Sequence, residues 1–333
     1  MADKKTDNEL IEEQIMTLPD FCGDLLIGRA TERSLNTRLG YARDLNLFFD
    51  YIQKTYFKDK NKTEITGEDL IFFTPKLMDK FINHYESDHA PRTVARMRTS
   101  VSVMFKYLAD TLKVLPYNPV AGAAKVQIPQ KLYVEYLTFE EQEKLLDVIK
   151  TGAGMSKMQL AKNENSRKRD IALIFLFLDT GLRLSEVVTL NIENLDLQRC
   201  CLTRVRRKGN ELCEIYFSDQ EKEYLEDYLN ERELSIKYSS LPSDALFINP
   251  FGERLSPRGI EKMVKKYMQI ALPNRKEITV HKLRSSFAMT FYEKEKDVLA
   301  LSQLLNHKSL NTTQIYAKAA SNTSMMVRGW RNK

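Results

Sequence analysis

Residues 199–218, RCCLTRVRR-KGN-ELCEIYFS, decide the fold class of this chain. Strand-like runs flank Lys208, Gly209 and Asn210, and the Gly-Asn pair supplies a tight turn, so the stretch reads as two strands of a hairpin. The change of character spans 195–218. Helical periodicity holds before it, returns after Asp219 and runs to the end. The expected fold is therefore mainly α with a small β-hairpin or sheet.

Working outward, Thr138 and Glu141 form a capping box ahead of an apolar helix. Asp170 to Thr180 reads as a buried helix, with Gly181 as its left-handed stop. Residues 115–136 hold Pro116, Pro119, Pro129 and Gly122 and no helical period, which suggests an extended linker. Upstream, residues 21–114 read as a bundle of four or five helices. Leu35, Leu39, Leu45, Phe48, Phe49 and Ile52 mark one helix; Thr66 to Asp69 open another, and Pro91 starts a third. Residues 1–20 are expected to be a flexible N-terminal arm, with 1–16 frayed or a short surface helix. Residues 137–333 form a second domain, with 317–333 as its tail.

The length of 333 residues fits two domains, and 43% hydrophobic with 29% charged residues is globular rather than disordered. The longest apolar run, Ile171 to Leu178, is too short to span a membrane. The N-terminus has no secretory character, so the expected location is the cytoplasm, in association with the nucleoid. None of the four cysteines forms a C-x-x-C pair, and the expectation is four buried or half-buried thiols. Residues 1–136 carry 19 basic and 19 acidic side chains, so the net charge of +6 comes from the second domain. That excess permits a polyanionic partner or a solvated basic surface.

Nucleotide-binding glycine loops, an H-E-x-x-H motif and a G-x-S-x-G elbow are all absent from the sequence. The expected chemistry therefore uses neither nucleotide cofactor nor metal. Arg183, in TGLRLSEVVTL, sits where a helix begins, and a cation there opposes the helix dipole. It is either functional or a surface arginine paired with Glu186. His281 and Arg284 share a helical face three residues apart, with Thr279 as an N-cap candidate. In LLNHKSLNTTQIYAK, Asn306 suits a left-handed helix end, His307 follows in the turn, and Tyr316 lies nine residues further on. Arg33, Arg38 and Arg43 lie along one N-terminal helix; Arg92, Arg96, Arg98 and Lys106, with Ser100 and Ser102, lie along another. They suit phosphate contact or a solvated face. Two arginine forks, a tyrosine, a hairpin lysine and two histidines meet the demands of phosphodiester transfer.

In order, TGLRLSE, RRKGN, HKLRSSF and LLNHKSLNTTQIY resemble the motif series of the tyrosine recombinases, the phage integrase and Xer-like site-specific DNA recombinases. Residues 21–114 are similar to that family's core-binding domain, and 137–333 to its α+β catalytic domain. The resemblance implies that Arg183 and Arg284 bind the scissile phosphate. It makes Lys208 the general acid, places His281 and His307 at the phosphate, and makes Tyr316 the nucleophile, with Glu186 supporting the arginines or His281. It also implies a 3′-phosphotyrosine intermediate, a double-stranded DNA partner with a specific site, a C-shaped clamp of two domains and a tetrameric synapse. Neither metal nor ATP is implied. Asn306, Ser285-Ser286 and the glycine-free run 293–297 depart from the family pattern without removing a catalytic group. The tail, with Met325, Met326, Val327 and Trp330, is expected to dock on a neighbouring protomer or on its own domain. A DNA-binding regulator without catalysis and a type IB topoisomerase remain as rival readings.

Overall fold

The computed structural model describes residues 7–28, 34–129, 134–207, 211–237, 243–306 and 310–320. The chain divides into two compact units, Met1–Gln130 and Lys131–Lys333.

The first unit contains α1 (Asp7–Ile15), α2 (Asp20–Gly28), α3 (Leu35–Tyr56), α4 (Pro75–Glu86) and α5 (Pro91–Lys106). Pro75 and Pro91 occupy first-turn positions, where a missing N–H costs nothing. Phe48 of α3 is fully buried and meets Phe49, Phe73, Phe81 and Phe105 edge-on, at centroid distances of 5.2 to 5.9 Å. Thr66 to Asp69 do not open a long helix. A short 3-10 turn, Glu68–Leu70, stands there, because Asp69 turns back to cap the Thr66 N–H and pairs with Lys60.

Three further expectations need correction in this unit. Residues 1–20 are not simply an arm, because α1 packs against α3 and buries Ile11, while Leu18 enters the core. Nor is 115–136 an extended linker throughout. Leu115, Val120 and Ala123 are core residues, and Arg98 donates to the carbonyls of Val120, Ala123 and Ala124. Prolines end the helical period there, but the arginine satisfies the freed backbone and the apolar side chains hold it down. Ser100 is also no surface hydroxyl; it is fully buried and donates to Asp44 at 2.7 Å. Burial pushes that carboxyl up, against the pull of Ser100 and Arg96.

The second unit contains α6 (Phe139–Thr151), α7 (Lys157–Glu164), α8 (Arg167–Thr180), α9 (Leu184–Val188), α10 (Asp219–Lys237), α11 (Pro257–Ala271), α12 (Val280–Glu295), α13 (Val298–Leu304) and α14 (Leu310–Ala320). The expected capping box of Thr138 and Glu141 starts α6. Helix α8 is apolar on nearly every face and packs against α6, α10 and α12. The hairpin is the larger part of a three-stranded antiparallel sheet, β1 (Leu195–Asp196), β2 (Cys201–Arg206) and β3 (Leu212–Tyr216). Two-residue β1 is too short to leave an alternating signature, which is why only the hairpin is legible in the sequence. Leu202 pairs with Ile215, and an irregularity before Val205 coincides with a positive φ at Arg204.

Gly181 ends α8 with φ of 63°, and a Cβ there would stand 2.3 Å from the Phe287 ring. Gly181→Ala is expected to lower stability by about 2 kcal/mol or more, through left-handed strain plus overpacking. A urea midpoint that stays at the wild-type value would contradict this.

Candidate active site

Arg183 is the N-cap residue of α9. Its conflict with the helix dipole is resolved by Glu186, three residues on, which accepts both the Arg183 backbone N–H and Nη1 at 2.7 Å. Glu186 is almost fully buried. The two alternatives for Arg183 hold together: it pairs with Glu186, and it faces the functional centre. Its Nη2 donates to the carbonyls of Leu305 and Asn306 at 3.4 and 3.5 Å.

Arg284 comes from α12, packed against α8, and is 3% exposed. Its Nη1 donates to the Gly181 carbonyl and its Nη2 to that of Leu305 at 2.6 Å. Glu186 lies 4.0 Å away. Thr279 is the N-cap residue of α12 but makes no side-chain cap bond. Arg207, just past β2, is 5% exposed and donates to the Leu304 carbonyl at 2.8 Å. Three arginines distant in sequence thus converge on three successive carbonyls at the end of α13, where helix geometry leaves acceptors free. Asn306 carries the left-handed φ, 45°, that the turn requires.

The centre is electropositive, with three guanidiniums against one buried carboxylate. Burial first, and then Arg183, bring the Arg284 pKa down to about 10, so it remains charged at neutral pH. His281 sits on the exposed rim. Flanking protein partly screens it from water, and with Arg284, Lys282 and Arg183 nearby its pKa falls below the usual imidazole range. It is neutral at pH 7 and able to accept a proton. A cavity of about 430 Å³ lies beside these groups, lined by Arg183, His281 and Arg284 together with Lys265, Lys276 and Glu261.

Tyr316 of α14 is 6% exposed and packs with Ala288, Met289, Leu301 and Leu305. Its hydroxyl interacts with Ser285 and lies in the field of Arg284. Burial pushes the phenol up, while Ser285 and Arg284 pull it down. Of the residues expected at the site, the structure brings together Arg183, Glu186, His281, Arg284 and Tyr316. Lys208, His307 and the tail beyond 320 lie outside the described residues. From sequence, Arg207 is only a neighbour of Lys208, and Ser285 has no role. The run RRK on a hairpin is the available signal for the first; nothing local marks the second.

The arginines expected to touch DNA divide by placement. Arg92, Arg96 and Lys106 are exposed on α5, although Arg96 also binds the buried Asp44. Arg98 is spent on backbone carbonyls. Arg38 is half-buried, with Nη1 on the Leu26 carbonyl. Arg33 lies outside the described residues. Among the described residues, no group of three or more His, Cys, Asp or Glu could hold a metal, and no helix is long and apolar enough to cross a membrane.

An anion-seeking centre with a phenol at its edge points to a class of enzymes, those that transfer phosphodiesters through tyrosine. The profile described as the phage integrase family matches residues 135–323. Tyrosine recombinase XerC of Treponema denticola is 30% identical over 285 residues, covering 83% of this chain and 86% of that protein. The XerC of Natranaerobius thermophilus is 33% identical over 276 residues, covering 80% and 87%. A crystal structure of the XerH site-specific recombinase bound to difH substrate, a pre-cleavage complex, matches with a TM-score of 0.66 at 25% identity, covering 94% of this chain and 81% of that one. The chain belongs to the phage integrase family. It is a tyrosine-type site-specific recombinase, mainly α with a small sheet.

Proposed function

We propose that this recombinase cleaves and rejoins double-stranded DNA at a specific site with Tyr316 as nucleophile. The phenol oxygen attacks the scissile phosphorus, the bond from phosphorus to the 5′ oxygen breaks, and a 3′-phosphotyrosine forms. Arg183 and Arg284 bind the non-bridging oxygens, whose negative charge grows in the transition state. The phenol proton passes to an imidazole, His281 or His307, and Lys208 protonates the departing 5′ oxygen. A 5′ hydroxyl from a partner duplex then reverses the step. The phosphotyrosyl bond keeps the energy of the broken diester, so no nucleotide is consumed. Glu186 holds Arg183 and neighbours Arg284. Because Tyr316 is covered, α14 shifts outward when a strand engages the arginines.

The convergence of Arg183 and Arg284 on the end of α13, with the Tyr316 hydroxyl in the field of Arg284, carries this reading. Support for the DNA partner comes from XerH, a recombinase solved in complex with its difH substrate. In the fuller proposal the N-terminal unit contacts DNA through Arg92, Arg96 and Lys106. Four protomers form the synapse, the tail docks on a neighbour, and the protein works in the cytoplasm.

The test is covalent capture. Nicked duplexes recovered from a pool of fragmented genomic DNA should give an adduct that resists SDS, and scrambled duplexes should not. Absence of any adduct would favour a DNA-binding regulator. Adducts on scrambled DNA without strand exchange would favour a topoisomerase.

A further inference from the structure

Both flanks of the hairpin tip are tied to the end of α13. Arg207 donates from Nη2 to the Leu304 carbonyl, and Asn306 donates from Nδ2 to Glu211 Oε2 at 3.0 Å. The Arg207 backbone N–H closes onto the Glu211 carbonyl at 2.8 Å. The next two carbonyls, those of Leu305 and Asn306, receive Arg183, and that of Leu305 also receives Arg284. One short stretch of backbone therefore joins the hairpin to the phosphate-binding arginines and runs directly into the segment that leads to Tyr316.

Arg207 sits there at a cost. It is nearly fully buried, its Nε has no hydrogen-bond partner, and it crowds the Arg284 charge. Burying a guanidinium beside like charge destabilises a fold, and an apolar residue would serve a purely structural tether at least as well. A polar fork aimed at the carbonyls next to the reaction centre suits a registering role instead. The residue that follows it is Lys208, whose own placement lies outside the described residues; only the peptide bond joining the two is needed here.

We infer that Arg207 is a positioning residue for the leaving-group step: with the Glu211–Asn306 bond, it registers the hairpin lysine against the arginine-bound phosphate. The inference rests on the proposed function, in which Lys208 protonates the 5′ oxygen. No additional reactant is required, since the proton travels from the lysine ammonium to the 5′ oxygen as its bond to phosphorus breaks.

The test uses the full chain and two versions of one captured suicide duplex, with oxygen or sulfur at the 5′ bridging position. A thiolate departs without a proton, so sulfur bypasses the general acid. Arg207→Ala is expected to slow single-turnover cleavage of the oxygen duplex by about 10- to 100-fold and that of the sulfur duplex by less than about threefold, the scale of a misplaced catalytic group. Glu211→Ala should follow the same pattern more weakly, and Glu211→Gln, which still accepts from Asn306, should restore the oxygen rate. If Arg207→Ala fails to fold by circular dichroism, the two Glu211 variants decide. Equal slowing on both duplexes, or no slowing on either, overturns the inference while the proposed function stands. Wild-type protein that forms no adduct with either duplex overturns both.

Discussion

Tyr316→Phe is expected to abolish covalent capture of DNA while leaving the folded chain and its DNA affinity almost unchanged. The substitution removes one oxygen. The ring keeps its place among Ala288, Met289, Leu301 and Leu305, and the phenylalanine forgoes only the hydroxyl's polar interaction with Ser285. A single neutral hydrogen bond contributes about 1 kcal/mol, so the thermal or urea midpoint should move little. The chemical loss is of another order. Without the phenol oxygen no phosphotyrosine can form, and the cleavage rate should fall by at least about 10⁴-fold, as when a nucleophile is removed from other covalent enzymes. Denaturing gels of the nicked duplex, run beside an equilibrium binding curve, separate the two effects. Adduct formation by Tyr316→Phe at a tenth of the wild-type rate would transfer the nucleophile to another of the chain's 15 tyrosines.

The covered position of Tyr316 also explains why the sequence can propose it but not rank it. Apolar periodicity marks a tyrosine on a buried helical face in the same way whether it reacts or merely packs. Only the order of motifs around Arg183, Arg284 and Asn306 sets it apart. Other features are legible because their signals are local. Gly181 after an apolar helix and Thr138 with Glu141 each specify backbone geometry within a few residues. Long-range polar contacts leave no such trace. Arg98 reads as a groove-facing cation until the carbonyls of Val120, Ala123 and Ala124 are seen to occupy it. Ser100 reads as a phosphate-binding hydroxyl until Asp44 is found beneath it. In each case a charged or hydroxyl-bearing side chain on a helix has two kinds of partner open to it, groups within the protein or phosphate outside. The choice is made by residues more than twenty positions away.

Arg284→Ala is expected to cost about 3 to 4 kcal/mol of transition-state stabilisation, or roughly 10²- to 10³-fold in single-turnover cleavage. The magnitude follows from location. Arg284 is desolvated, and a charge–charge contact in such a site is far stronger than one in water. Its fork also holds the Gly181 and Leu305 carbonyls, so loosened structure adds to the loss. Arg284→Lys separates the two contributions. Lysine keeps the charge but not the planar pair of donors, so cleavage should fall between wild type and alanine, with a urea midpoint closer to wild type. Affinity for intact duplex should drop much less than the rate in either variant, because binding is spread over many phosphates whereas the developing charge is concentrated on one. With its pKa held near 10, Arg284 stays protonated through neutral pH, and the cleavage profile between pH 6 and about 8 should show no titration of this group. Equal losses in affinity and rate for Arg284→Ala would identify an ordinary DNA contact and remove this guanidinium from the transition state.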